Sequence, residues 1–121
     1  MGAYDHVDEL PRQQIWDGVL SRSVHGDNVT LALLELDADA VVPEHSHENE
    51  QVGILVRGSV TFTIGDDTRT VDVGGTWCIL ANVPHSVAVG PDGATIVEVF
   101  SPPRADWHAI SLEPPEPARL Q

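Results

Sequence analysis

Two histidines separated by one residue, His45 and His47 in Pro43-Glu44-His45-Ser46-His47, are the first residues of this 121-residue chain whose types and spacing suit chemistry. Side chains two apart on extended backbone point to one side, so both imidazoles can face one metal ion. Such pairs also arise on solvated surfaces, and the pair alone decides little. Its context says more. Gln51 follows four residues after His47, Gly58 closes the stretch, and a separate Asn82-Val83-Pro84-His85 turn brings a further histidine to the start of a later strand.

A second stretch with chemical content is Glu98-Val99-Phe100-Ser101-Pro102-Pro103-Arg104-Ala105-Asp106-Trp107. Strand spacing puts Glu98 and Phe100 on one face, and the two prolines carry Arg104 around the strand end. The plainer readings are a surface salt bridge for Arg104, core packing for Phe100 and an exposed strand position for Glu98. His6, His25 and His108 have no ligand spacing to one another and read as surface residues. Trp16, Trp77 and Trp107 read as packing, Arg57 as a solvated turn arginine, and Cys78, between Trp77 and Ile79, as a core thiol. A lone cysteine excludes an internal disulfide and any multi-cysteine zinc site.

The elements that must position these groups are strands. From Val29 to Ile96, short runs of Val, Thr, Ile and Leu alternate with Gly, Asp, Asn and Pro clusters at intervals of about ten residues. The pattern predicts an all-β, antiparallel fold with strands near 19–25, 29–36, 50–57, 59–64, 68–73, 76–80, 85–89 and 94–100. Turns fall at 26–28, Arg57-Gly58, 65–67, Gly74-Gly75 and 90–93. Val60, Phe62 and Ile64 alternate with Thr61 and Thr63, marking one buried face. In Val52-Gly53-Ile54-Leu55-Val56 both parities are apolar, so Val52, Ile54 and Val56 are expected to press on another layer, and a homodimer follows as an expectation. No long 3.6-residue apolar period occurs, so helices should be few or absent.

One domain, 1–121, is expected, with a barrel core at about 19–100 and a Pro-rich extended strap or tail over 102–121. Nineteen acidic residues against six basic ones give a formal charge of −13, which disfavours nucleic acid and anionic membranes as partners. The chain lacks an apolar run of membrane-spanning length and a basic start followed by an apolar stretch, and is read as cytoplasmic.

Asp39 to Gly58 resembles the first cupin motif, H-x-H, three or four residues, Glu or Gln, six residues, Gly. Gly74 to His85 is similar to the second, whose histidine completes the metal site. The resemblance implies a jelly-roll-like cupin β-barrel holding one divalent ion (Zn, Ni, Mn or Fe) through His45, His47, Gln51 and His85. Asp39, Leu80 and Asn82 stand where the motifs commonly have Gly, Pro and Gly. Gln51 stands where many cupins place a glutamate, so all four ligands would be neutral and the ion would keep its full +2 charge, favouring Lewis acidity and anion binding.

The run Val99-Phe100-Ser101-Pro102-Pro103-Arg104 further resembles the pectin-degradation KdgF family. That resemblance implies conversion of 4,5-unsaturated uronates into linear keto sugars. It assigns Arg104 to the substrate carboxylate, Phe100 to the cavity wall and Glu98, where the family typically has Asp, to acid/base duty. The partner expected is therefore a small anionic substrate. Two other readings use the same scaffold: a dioxygenase acting on a chelating enol or diketone, and a non-catalytic module that binds a small metabolite.

Overall fold

The computed structural model describes residues 3–121. Its elements are β1 (Gln13–Trp16), β2 (Val19–His25), β3 (Thr30–Leu36), β4 (Val41–His45), β5 (Glu50–Ile64), β6 (Asp67–Val71), β7 (Thr76–Ile79) and β8 (His85–Ser101). Short 3-10 stretches, Val7–Glu9 and Ala105–Ala109, are the helical content of the described residues. The paired strands are antiparallel and run β1-β2-β3-β8-β5-β6, with β4 added on β8 and β7 on β5. The all-β expectation therefore holds. No helix of the described residues is long and apolar enough to cross a membrane.

Two long strands build the barrel. At one end Val52 lies opposite Val99; at the other, Phe62 lies opposite Val87. Between them the register slips at Leu55/Arg57 and again at Gly58/Val60. The turns expected at Arg57-Gly58 and 90–93 are thus bends within continuous strands. Gly58 has φ +80° and Gly93 φ +75°, and a Cβ on Gly58 would run into the Gly93 carbonyl. Glycine marks both hairpin turns and bulges, and the neighbouring strand decides between them.

The inner face carries Leu55, Val60, Phe62, Ile79, Val87 and Ile96, all buried, each contributing about 1.5–3 kcal/mol of burial. Strict alternation corrects one expectation. Trp77 and Ile79 point inward, so Cys78 between them is exposed rather than a core thiol. Apolar neighbours in sequence lie on the opposite face of a strand. Val52 and Ile54 point outward as expected, 41% and 38% exposed, and Val52–Val99–Leu31–Val24 forms a row across four paired strands.

Strands β1 and β4 have no counterpart in the sequence reading. β1 is short and polar, and β4 contains Pro43 and Glu44. The C-terminal strap is extended from residue 111 but begins with the 3-10 stretch that carries Trp107. It returns along the barrel, where Arg12 pairs with Glu113 through the backbone and donates from Nε to the Pro114 carbonyl (2.8 Å). Arg22, 2% exposed, donates to the carbonyls of Glu116 and Pro117 and to Glu35 (2.7 Å).

Candidate metal centre

The three histidines reach one point from three places in the chain. His45 closes β4 and is registered against His85, which opens β8. His47 lies outside any strand, in the link to β5, so the pair does not sit on one extended strand as its spacing suggested. The tertiary fold brings the rings together anyway. Centroids of His45 and His85 are 4.3 Å apart, and those of His47 and His85 4.9 Å. One nitrogen from each lies within 4.8 Å of the others, close enough for the three to hold one metal ion. The turns that deliver them use residues that tolerate left-handed backbone. Asp39 (φ +61°) and Asn82 (φ +65°) occupy two of the positions where the motifs commonly have Gly.

Hydrogen bonds fix which nitrogen faces the centre. Nδ1–H of His45 donates to the Pro43 carbonyl (2.8 Å), that of His47 to Asn49 (2.9 Å) and that of His85 to Val83 (2.8 Å). A carbonyl only accepts, so each Nδ1 carries the hydrogen and each Nε2 keeps its lone pair. His85 Nε2 is buried with no partner, the unsatisfied side-chain atom of the described residues. His47 Nε2 lies 3.0 Å from Gln51 Oε1. The Gln51 amide donates its Nε2–H to Glu98, which turns Oε1 toward the histidine. Two acceptors face each other with no hydrogen between them, an arrangement that suits a cation. Burial lowers the pKa of His47, and Arg104 lowers it further. Burial likewise lowers that of His85, to about 4. Both rings are therefore neutral at physiological pH, the form that binds metal.

Beside this cluster, Glu98 is buried in the barrel wall at 3% exposure. Gln51 Nε2 and Trp77 Nε1 (2.8 Å) both donate to its Oε2, leaving Oε1 without a partner among the described residues. Desolvation raises its pKa to about 7 despite those bonds. Gly53 permits this arrangement, since a Cβ there would lie 2.6 Å from the Trp77 indole. The indole lies flat across β5 and reaches the carboxylate.

Arg104 follows β8 and caps the 3-10 stretch. Its guanidinium stacks on Phe100 (4.9 Å) and Trp107 (4.5 Å). Nε and Nη2 donate to Asp106 (3.1 and 2.9 Å), while Nη1 has no partner among the described residues. Asp106 therefore occupies one edge of the guanidinium and leaves the edge bearing Nη1. His45, His47, Gln51, His85, Glu98, Phe100 and Arg104 all line a single cavity of about 440 Å³, counting its open mouth. Its free interior is about 50 Å³, and its remaining wall is largely apolar.

All seven residues singled out from sequence thus meet in one place. Other readings need correction. The three tryptophans do more than pack: Trp77 bonds Glu98, while Trp16 and Trp107 line the cavity, Trp16 lying 5.0 Å from His45. Glycine at 53 inside a strand was the available signal for the Trp77 approach. His25 and His108 are not separate surface residues. Their rings meet edge to face at 4.8 Å, and His25 is half-buried because the 3-10 stretch folds onto the end of β2. His6 is exposed and caps Val7–Glu9. Arg57 is half-buried against Thr95 (3.0 Å) and lies outside the cavity wall.

Fold and site together define a small β-barrel in which three histidines, close enough to hold one metal ion, open into an internal cavity. The cupin domain family model matches residues 32–100, more than half of the chain, and the protein belongs to the cupin family. It is similar to the pectin degradation protein KdgF of Dickeya dadantii, 25% identical over 109 residues that cover 88% of this chain and 99% of the relative. Among solved structures, KdgF from a Halomonas species superposes with a TM-score of 0.80 at 21% identity, covering 88% of this chain and 98% of that one. An RmlC-like cupin from Shewanella frigidimarina gives 0.82 at 18% identity over 88% and 96% of the two chains.

Proposed function

We propose that this protein is a metal-dependent enzyme that converts a 4,5-unsaturated uronate into its linear keto form, as the resemblance to KdgF implies. The observation that carries the reading is the meeting, in one cavity, of three imidazole lone pairs, a buried carboxyl group with one free oxygen, and an arginine with one free edge. Those are the parts needed for a small substrate that bears a carboxylate and must move a proton.

His45, His47 and His85 would hold the ion, with Gln51 Oε1 as a fourth donor. Bound there, a dication supplies Lewis acidity toward a substrate oxygen. The reaction itself is an isomerisation. The ring C–O bond opens to an aldehyde and an enol, then the enol gives up its hydroxyl proton while the adjacent carbon gains one. Nothing is added or lost. Glu98 is the group suited to this transfer, because a pKa of about 7 leaves both its forms populated near neutrality. Its Oε2 is pinned by Gln51 and Trp77, so the proton is exchanged at Oε1. Arg104 presents Nη1 to the substrate carboxylate, with Asp106 holding the guanidinium in place. Phe100 and Trp107 exclude water from that pair.

The decisive experiment follows the ultraviolet absorbance of a 4,5-unsaturated uronate mixed with zinc-, nickel-, manganese- or iron-loaded protein. Absorbance should fall faster than in the enzyme-free control. No difference with any of the four metals removes the proposal.

A further inference from the structure

The segment that carries Arg104 and Trp107 leaves the sheet after Ser101, and no strand pairing holds it. Three buried polar side chains of the barrel do. Thr30, fully buried at the start of β3, accepts the backbone N–H of Arg104 at Oγ1 (2.9 Å). Gln13 of β1, 7% exposed, donates from Nε2 to the carbonyls of Trp107 (2.9 Å) and Ile110 (3.0 Å). Asn49, 6% exposed, donates from Nδ2 to the Pro102 carbonyl (2.6 Å). Each bond reaches across more than fifty residues of chain, and together they pin the segment at its start, middle and end.

A buried polar side chain costs free energy unless bonded, and an apolar residue would fill each position more cheaply. All three instead aim at one non-repetitive segment, the one that bears the free guanidinium edge. Thr30 sits nearest to the chemistry, because its partner is residue 104 itself. Its hydroxyl also meets His25 Nδ1 (2.7 Å). The hydroxyl proton can go to that ring nitrogen, which leaves an oxygen lone pair for the Arg104 amide.

We propose that Gln13, Thr30 and Asn49 form a clasp of positioning residues that sets where Arg104 stands over the cavity, and so sets carboxylate affinity without touching the ligand. This rests on the uronate reading for what Arg104 binds. Its geometric half, the clasp on the segment, stands apart from that reading.

The test uses zinc-loaded protein, D-galacturonate as a carboxylate probe followed by calorimetry, and amide hydrogen exchange as a second readout. Thr30→Val keeps shape and removes the acceptor. It should weaken galacturonate binding roughly tenfold, the usual scale for one buried hydrogen bond whose partner is left unmet. Thr30→Ser should restore binding close to the parent. In Thr30→Val the Arg104 amide should exchange faster while the amides of Leu55 and Ile96 in the barrel stay as protected as before, which a general loss of stability would not produce. Gln13→Leu should weaken binding in the same direction, and it carries the test if Thr30→Val does not fold. Parent-like galacturonate affinity in both variants, with Arg104→Ala impaired, overturns the proposal. If Arg104→Ala also binds galacturonate like the parent, the uronate reading fails on its own, and unchanged Arg104 exchange in Thr30→Val then overturns the clasp as well.

Discussion

Two arginines, Arg22 buried and Arg104 half-buried, sit in opposite kinds of surroundings. Arg22, under the C-terminal strap, spends its donors on Glu35 and on the carbonyls of Val7, Glu116 and Pro117. Arg104, at the barrel mouth, uses one edge on Asp106 and keeps Nη1 free. The neighbours repeat the contrast. Strap carbonyls are matched by donors, whereas the mouth holds His85 Nε2 and Glu98 Oε1 without partners among the described residues. Unspent hydrogen-bonding capacity in a buried place costs free energy, so it persists where a ligand completes it. The strap region reads as structure and the mouth as function.

The comparison breaks most readily at the histidines. His85→Ala and His47→Ala should each lower metal affinity more than about a hundredfold, beyond the 10–100-fold typical of groups that merely support a ligand. Elemental analysis after dialysis reads this directly, and stoichiometric metal in both variants would remove the centre. Next comes the arginine pair. Arg22→Met should cost about 3–5 kcal/mol by leaving Glu35 half-buried and uncompensated, measured by urea unfolding, with turnover per folded molecule unchanged. Arg104→Met should do the reverse, raising KM by roughly ten- to a hundredfold with little change in the urea midpoint. Equal effects of the two on stability and on KM would erase the distinction.

A smaller effect concerns Glu98. Its pKa is raised in the folded protein, so the fold favours the protonated acid. That contribution is complete at pH below the unfolded value of 4.5 and is lost as pH rises through about 7. The lowered pKa values of His47 and His85 act in the opposite direction between pH 6 and pH 8, so the parent is compared with Glu98→Gln in metal-free form. The melting temperature of the variant should rise relative to the parent as pH goes from 6 to 8, and a parallel pH slope in the two would assign the Glu98 contribution elsewhere. The smallest effect lies on the outer face. Val24, Leu31, Val52 and Ile54 form an exposed apolar surface on a chain of charge −13, and a homodimer through this face is the expectation. Added salt screens the repulsion between the two copies, so mass from light scattering should rise with ionic strength. Salt-independent monomer in the parent and in Ile54→Glu alike would dismiss it.

Legibility varied with the kind of signal. Val60, Phe62 and Ile64 announced their strand because the period of two is local and one face is buried. β1 and β4 carry Gln, Pro and Glu and are strands only because β2 and β8 lie beside them. Gly58 and the Gly90–Gly93 stretch advertised turns, yet the close pass of the two long strands made them bends. In the candidate site, His45, His47, Gln51 and His85 were visible through motif spacing. Trp77, Thr30 and Asn49 were not, because their partners are 21, 74 and 53 residues away.

The amino-acid sequence by itself determined an acidic, antiparallel β-protein and singled out the side chains that meet at the candidate metal centre, since side-chain periodicity and ligand type are properties of single residues and their near neighbours. Only the tertiary structure decided which nitrogen of each histidine faces inward, which edge of Arg104 stays free and how far the Glu98 pKa moves. Those depend on desolvation and on hydrogen-bond partners that meet only when the barrel closes.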